Sequence, residues 1–224
     1  MGQSNIKISA SILSADLADL RNEVGRAEAS GVDMLHIDVM DAIFVPPMTF
    51  GDVVVKSLGN VDIVRDVHLM VKNPTQHIKN FSEFLTEKDI ITFHIESDCV
   101  VTKTLKLFES LNVRVGVAIN PDTPIEDIFP YVGVVHMFTV MSVRPGYGGQ
   151  AFLPETLERV ATLRAENNRV GADTPILVDG GINPDTVRGV VKAGADIVVA
   201  GSYLFGSGRD MAQSVQTLRA AVSG

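Results

Sequence analysis

Short apolar runs rich in β-branched residues alternate with longer amphipathic stretches along the whole chain. The amphipathic stretches place apolar residues three or four positions apart, as in Leu17, Leu20, Val24 and Ala27, which is typical of helices that bury one face. The short runs are typical of buried strands. Eight runs are predicted as strands: Ile6–Ile8, Met34–Val39, Ile63–Leu69, Ile90–His94, Val113–Ile119, Val134–Met141, Ile176–Val178 and Ile197–Ala200.

This alternation predicts parallel strands joined by helical crossovers. Three helix starts are marked, by Asp16, by Pro154 with Glu155, and by Asn183-Pro184-Asp185. Eight strand–helix units in 224 residues, with no Gly/Ser-rich linker, predict one α/β domain over residues 1–224, a (β/α)₈ TIM barrel. An open doubly wound sheet is the alternative, because periodicity does not show closure of the sheet.

Polar side chains lie on the inward faces of three predicted strands. Alternation along the run MLHIDVM places His36 and Asp38 on one face, and RDVHLM places Asp66 and His68 on one face. The seventh strand ends at Asp179. Taken singly, a strand-end aspartate often caps a helix and an inward histidine is often only hydrogen-bonded. Together, His36, Asp38, His68 and Asp179 predict a site for one divalent metal ion, for which Zn, Fe, Mn and Co are equally suited.

Glycine-rich loops follow the last three predicted strands. They read VRPGYGGQAFLPE, DGGINPDT and AGSYLFG. Glycine lets backbone N–H groups approach a phosphate, and the loops after strands seven and eight build such a site in many barrels. Each glycine pair alone is also typical of a tight turn. Three such loops on neighbouring strands predict a phosphate site.

Three methionines lie at strand ends beside the predicted metal ligands. Met40, Met70 and Met141 are predicted either to pack in the core or to form a dry cover over a reactive intermediate.

The composition restricts the class of partner. The chain is 46% hydrophobic and carries a net charge of −8, which argues against nucleic-acid binding, and it contains no apolar run of membrane-spanning length. A single phosphate held by backbone N–H groups remains compatible with an acidic protein. The lone cysteine, Cys99, and the absence of a signal-peptide core in MGQSNIKIS predict a cytoplasmic location.

At these residues the sequence resembles the ribulose-phosphate 3-epimerase family. The resemblance rests on the segments SASILSADLADL, HIDVMDAIFVP, DVHLMV, ITFHIE, MSVRPGYGGQAF, VDGGINPDT and AGADIVVAGSYLFG. It implies a metal-dependent (β/α)₈ barrel that inverts C3 of a phosphorylated ketose, and a homo-oligomer. It further implies that His36, Asp38, His68 and Asp179 are the metal ligands and that Asp38 and Asp179 are also the acid/base pair. The implied substrate contacts are Ser11, His68, Gly146, Gly148, Gly149, Gly180, Gly181, Gly201 and Ser202, and Tyr147 lies within the first of these loops.

The sequence departs from the family pattern above the predicted pocket. The family stretch Asp-Gly-His-Phe-Val-Pro-Asn is replaced by DAIFVPP, which places Ala42, Ile43 and Pro47 where Gly, His and Asn are usual. Arg144 replaces an asparagine, and Ala10 replaces a proline. Since polar side chains are lost, the identity of the ketose phosphate stays open, whereas all four implied ligands are retained. His94 and Cys99 receive no catalytic role.

The predicted reaction converts D-ribulose 5-phosphate to D-xylulose 5-phosphate through an enediolate, with one aspartate acting on each face of C3. The first alternative is a 3-epimerase of another ketose phosphate, such as allulose 6-phosphate or a shorter sugar. A phosphosugar lyase is disfavoured because no strand-end lysine accompanies the cluster. The non-enzymatic alternative is a phosphosugar-binding barrel.

Overall fold

A closed barrel of eight parallel strands is formed by residues 6–206, 208 and 210–223, which the computed structural model describes. The strands are β1 (Lys7–Ser11), β2 (Met34–Met40), β3 (Val64–Met70), β4 (Ile90–His94), β5 (Arg114–Ile119), β6 (Met137–Met141), β7 (Ile176–Asp179) and β8 (Ile197–Ala200). They follow chain order around the barrel, and β1 pairs with both β2 and β8. The open-sheet alternative is therefore wrong, and the predicted (β/α)₈ class is confirmed.

Helices on the outside connect the strands. They are α1 (Leu20–Ala29), α2 (Asp52–Ser57), α3 (Pro74–Ser82), α4 (Val101–Phe108), α5 (Thr156–Val170), α6 (Pro184–Ala193), α7 (Ser202–Phe205) and α8 (Met211–Val222). Three 3₁₀ helices cover Ile12–Ser14, Leu17–Asp19 and Ile125–Tyr131. Residues 1–5 of the segment MGQSNIKIS lie outside the described residues.

The predicted helix starts agree with the local hydrogen bonds. Asn183 caps α6 through a capping box with Thr186, in which each side chain accepts a hydrogen bond from the other residue's backbone N–H. Glu155 directly precedes α5. Asp16 accepts a hydrogen bond from the Ala18 N–H and caps the 3₁₀ helix Leu17–Asp19, which directly precedes α1.

Alternation along β2 separates two environments. Leu35, Ile37 and Val39 are buried in the apolar layer between barrel and helices. The lower barrel interior is filled by a second apolar cluster, which consists of Met34, Ile90, Met137, Leu177, Ile197 and Val199. Because this apolar cluster fills the rest of the barrel interior, the polar side chains at the carboxyl ends of the strands line only that end of the barrel.

Three predicted segments differ from the structure. The first strand runs over Lys7–Ser11 rather than Ile6–Ile8. The sixth strand begins at Met137 rather than Val134, because the Val134 N–H bonds to the Tyr131 carbonyl in a turn and its side chain is exposed. The crossover before it is a 3₁₀ helix that contains Pro130 instead of an α-helix. Proline lacks the N–H that an α-helical hydrogen bond requires at this position.

Candidate metal centre and substrate pocket

Four side chains converge at the upper end of the barrel interior. His36 and Asp38 come from β2, His68 from β3 and Asp179 from the end of β7, and one ligand atom from each lies within 4.8 Å of the others. His36 and His68 are fully buried, while the Asp179 side chain keeps 13% exposure toward the mouth. The structure therefore brings together the whole predicted ligand set, in a group that could hold a metal ion.

The two aspartates of this group both lie close to one imidazole nitrogen. Oδ1 of Asp38 and Oδ2 of Asp179 each lie 3.4 Å from Nε2 of His36. Burial disfavours a charge on His36, but both carboxylates outweigh burial and raise the pKa of the imidazole well above its usual value. Burial likewise disfavours the charged Asp38 carboxyl, yet the charge on His36 holds the pKa of Asp38 well below its usual range. A divalent cation held by the four ligands would take the place of the proton on His36 in balancing the two carboxylates.

The two ligands from β2 are each held by a further buried polar group. The Ser11 hydroxyl donates to Oδ2 of Asp38 at 2.7 Å, and Nδ1 of His36 lies 2.9 Å from Oδ2 of Asp66. The other oxygen of Asp66 accepts a hydrogen bond from the Thr92 hydroxyl at 2.7 Å. With Nδ1 of His36 bound to a carboxylate, its Nε2 faces the other ligands, which is the arrangement found around metal-binding histidines. Two carboxylates and two imidazoles supported in this way fit a divalent transition metal.

A cavity of about 490 Å³ opens directly above the cluster. Its floor includes Asp38 and Asp179, and Ser11 lies beside them. The three predicted methionines line the same cavity and are nearly inaccessible to solvent: Met40, Met70 and Met141. This volume lies in the ordinary range for a small-molecule site.

Glycine-rich loops form the opposite wall. The predicted glycines Gly146, Gly148, Gly149, Gly180, Gly181 and Gly201 line the cavity together with Tyr147 and Ser202. At Gly181, φ is +63° and an added Cβ would lie 2.6 Å from the backbone nitrogen of Phe152, so that only glycine fits there. The three loops predicted to bind one anion therefore surround one space.

Sequence reasoning missed several residues of this site. The alternation places Asp66 inward with His68 but indicates no role for it, and the structure shows it supporting Nδ1 of His36. Ser14 lines the cavity from the turn after β1, and its hydroxyl oxygen would lie 2.7 Å from a Cβ added at Gly201. His94 lies 2.8 Å from His68, between Nε2 atoms, a proximity that no local motif indicates.

The departures from the family pattern lie in the loops after β2 and β6 and, for Ala10, within β1. Ala42 adopts φ +60°, where an alanine is strained, and the Ile43 side chain is 70% exposed. Pro47 packs near Gly146. Arg144 forms an exposed ion pair with Asp122, with Nη1 and Oδ2 3.1 Å apart. Cys99 is a half-buried free thiol whose pKa is raised by burial.

Comparison with known proteins connects this geometry to a family. The model of the ribulose-phosphate 3 epimerase family matches residues 7–205. The chain belongs to this family. It is 41% identical over 217 residues to a ribulose-phosphate 3-epimerase of Methanocaldococcus jannaschii, covering 96% of this chain and 91% of that one. It is 40% identical to an Escherichia coli protein of the same name, covering 88% of each chain.

Family membership makes the chain an isomerase of the epimerase type. Among solved structures, the phosphoribosyl anthranilate isomerase of Thermotoga maritima aligns with a TM-score of 0.66 at 13% identity, over 97% of this chain and 98% of that one. A likeness at this identity shows the shared barrel fold alone. Within the described ranges, no helix has both the length and the apolar character needed to cross a membrane.

Proposed function

We propose that the protein catalyses metal-dependent epimerisation at C3 of a ketose phosphate, with D-ribulose 5-phosphate and D-xylulose 5-phosphate as the interconverted pair. One observation carries the proposal: Asp38 and Asp179 meet at a metal-suited cluster on the floor of a cavity whose far wall is made of glycine loops. The names of the curated relatives support the same substrate. We also propose that residues 1–224 form one domain; a cytoplasmic location and a homo-oligomer stay predictions.

Two carboxylates are needed because inversion requires loss of a proton from one face of C3 and its return to the other. In the proposed mechanism, one of Asp38 and Asp179 removes the C3 proton and forms the enediolate, and the other delivers a proton to the opposite face. The roles exchange in the reverse direction. A general acid or base of this kind typically contributes about 10²–10⁴-fold in rate.

His36, Asp38, His68 and Asp179 would hold one divalent ion, with Zn, Fe, Mn and Co all compatible with mixed nitrogen and oxygen ligands. When bound, such an ion supplies electrostatic stabilisation of negative charge that develops on substrate oxygen atoms. Asp66 and Ser11 would keep the ligands oriented through their hydrogen bonds to His36 and Asp38. Removal of divalent ions with a chelator is expected to abolish turnover, and full activity in verified metal-free protein would contradict this part of the proposal.

The glycine wall is proposed to bind the phosphate group. Backbone N–H groups of the loops around Gly148, Gly181 and Gly201 would hold the anion without a lysine, and the Ser14 hydroxyl faces the same wall. Met40, Met70 and Met141 would exclude water from the carbanionic intermediate, since their side chains cover the cluster with apolar surface.

The second candidate function is the same reaction on a different ketose phosphate. It is supported by the 42–47 loop, which departs from the family pattern. Pro47 lies beside Gly146 of the cavity wall, and the Ile43 side chain is exposed to solvent. A panel of ketose phosphates, assayed with added divalent metals, should give its largest kcat/KM with ribulose 5-phosphate. A larger value with allulose 6-phosphate or a shorter sugar would reassign the substrate.

Deuterium exchange separates an epimerase from a binding protein. In D₂O, the proposed enzyme incorporates solvent deuterium at C3 of its substrate, because the removed proton exchanges before one is returned. A sensor barrel would bind the sugar phosphate without exchange at that carbon. Binding without C3 exchange would therefore exclude the proposed function.

A further inference from the structure

A buried hydrogen-bonded line leads outward from the metal cluster. Nε2 of His68 lies 2.8 Å from Nε2 of His94, and Nδ1 of His94 lies 3.2 Å from Oε2 of Glu96. The remaining oxygen, Oε1 of Glu96, accepts the backbone N–H of Asn120 at 2.8 Å. The line therefore joins three side chains and ends on the backbone after β5.

The chemistry of the groups determines the direction of this line. A carboxylate accepts hydrogen bonds and does not donate them, so Nδ1 of His94 carries the hydrogen that faces Glu96. A neutral His94 then has a bare Nε2, which accepts a hydrogen from Nε2 of His68. This leaves Nδ1 of His68 unprotonated, and it is Nδ1 that points into the cluster, 3.1 Å from Nε2 of His36 and 3.6 Å from Oδ2 of Asp179.

The surroundings of His94 maintain this arrangement. Its side chain is fully buried, where a charged ring would lack solvation. The Phe44 ring packs against it with 5.0 Å between centroids, and the His68 ring stacks on it with 4.9 Å between centroids. The ring is thus held in place from both sides, and the direction of its hydrogen bonds depends on Glu96.

We propose that His94 and Glu96 are positioning residues that hold His68 in the tautomer with a free Nδ1, and so prepare it as a ligand for the divalent ion. The proposal rests on the metal site of the proposed function. It assigns a role to the pair in the FHIE segment, which lies outside the ligand set and touches no reacting atom.

The test compares variants of Glu96 and His94 with the wild type by two measurements. Glu96→Gln retains the size of the side chain but leaves one oxygen where two acceptors are needed, and its amide group can donate to His94 and reverse the line. His94→Phe retains an aromatic ring and removes both ring nitrogens. Matched controls are Glu109→Gln, at an exposed glutamate, and His77→Phe, on α3.

The first measurement is the dissociation constant for Zn²⁺ and Mn²⁺, obtained by competition with a chromophoric chelator. Both variants should bind about 10–100-fold more weakly than the wild type, the usual loss when a group behind a metal-binding histidine is removed. Both controls should match the wild type. Wild-type affinity in folded Glu96→Gln and His94→Phe proteins would overturn the proposal.

The second measurement needs no metal and distinguishes this proposal from the proposed function. In metal-free protein, ¹⁵N NMR should show His68 with Nε2 protonated and Nδ1 bare, and Glu96→Gln should shift this population. If the wild type bound no metal, the proposed function would be contradicted. The tautomer of His68 could still be measured, and it would show whether His94 and Glu96 position this ring. A His68 tautomer with Nδ1 protonated in the wild type, or one unaffected by Glu96→Gln, would overturn the proposal.

Discussion

Asp38 and Asp179 meet across a single atom: an oxygen of each carboxylate lies 3.4 Å from Nε2 of His36. Strands β2 and β7 are far apart in sequence, yet the barrel places these two groups at one point on the cavity floor. Two acid/base groups so close to one position can serve both faces of a substrate carbon. The arrangement gives the first prediction.

Asp38→Asn and Asp179→Asn are each expected to lower kcat by about 10²–10⁴-fold, because an amide neither accepts nor returns the C3 proton at neutral pH. Steady-state kinetics with ribulose 5-phosphate measures the loss, and thermal unfolding checks that each variant is folded. Asp127→Asn, at an exposed position, is the matched control and should retain wild-type turnover. Near-normal kcat in either folded variant would refute the two-base assignment.

The contact between Gly201 and Ser14 gives a prediction for the phosphate wall. A Cβ at position 201 would lie 2.7 Å from Oγ of Ser14, so Gly201→Ala displaces the hydroxyl, and Ser14→Ala removes it without a clash. Both should raise KM about tenfold or more, since a hydrogen bond to a charged group contributes about 1.5–3 kcal/mol.

The inhibition constant of inorganic phosphate should rise in parallel, while the metal affinity stays unchanged. Gly25→Ala is the matched control, because the position is in α1 and no atom beyond the chain neighbours and the backbone of its own helix lies within 4 Å of the added Cβ. An unchanged KM in the Ser14→Ala protein would remove this hydroxyl from the phosphate site.

Ala42 gives a prediction about stability. Its φ of +60° costs an L-residue roughly 1–2 kcal/mol, and Asp41 maintains this turn by accepting the N–H groups of Ile43 and Phe44, each at 2.8 Å. Ala42→Gly removes the strain and so stabilises the folded state. Part of this stabilisation is offset because glycine also raises the conformational entropy of the unfolded chain. The free energy of unfolding in urea should rise by up to about 1 kcal/mol.

Ala165→Gly provides the comparison for Ala42→Gly, since Ala165 is exposed within α5 and has no such strain. This second substitution should lower the unfolding free energy by about 0.5–1 kcal/mol. If the two substitutions destabilised the protein equally, strain at Ala42 would be contradicted.

The buried pair of Arg65 and Asp89 predicts a pH dependence of stability. Nη2 of Arg65 lies 2.6 Å from Oδ2 of Asp89, and both side chains are almost inaccessible. Burial alone would raise the pKa of Asp89, but the hydrogen bonds from Arg65 and Thr86 outweigh burial and lower the pKa below its usual value. Because the pKa of Asp89 is lower in the folded state, its carboxylate stabilises the fold at pH values above about 3.9, the pKa in the unfolded chain. This contribution is lost as the pH falls through the pKa of the folded state.

Asp89→Asn should therefore cost about 3–5 kcal/mol at neutral pH, because the Arg65 charge is left buried without its partner. The difference from the wild type should shrink as pH falls below about 4, because Asp89 of the unfolded chain takes up a proton there while the folded carboxyl, with its lowered pKa, resists protonation. Urea titrations between neutral and acidic pH measure it. A difference that stayed constant over this range would show that the charge of Asp89 does not stabilise the fold.

Local sequence patterns determined much of the fold and of the candidate site. Period-two alternation placed His36 and Asp38 on one inward face and Asp66 and His68 on another, because side chains of a strand point to opposite sides in turn. Eight strand signals agreed with the eight strands observed. The glycine-rich loops were also visible, because backbone with positive φ requires glycine at positions such as Gly181.

Only the tertiary structure decided which of these groups meet. Closure depends on pairing of β1 with β8, a contact between the ends of the chain that no periodicity encodes. The meeting of His68 with His94, and of Asp38 with Asp179 across His36, follows from strand register and barrel curvature. Local sequence thus specified the face on which each side chain lies, because that face depends on neighbouring residues. The distances between the faces depend on packing of the whole barrel.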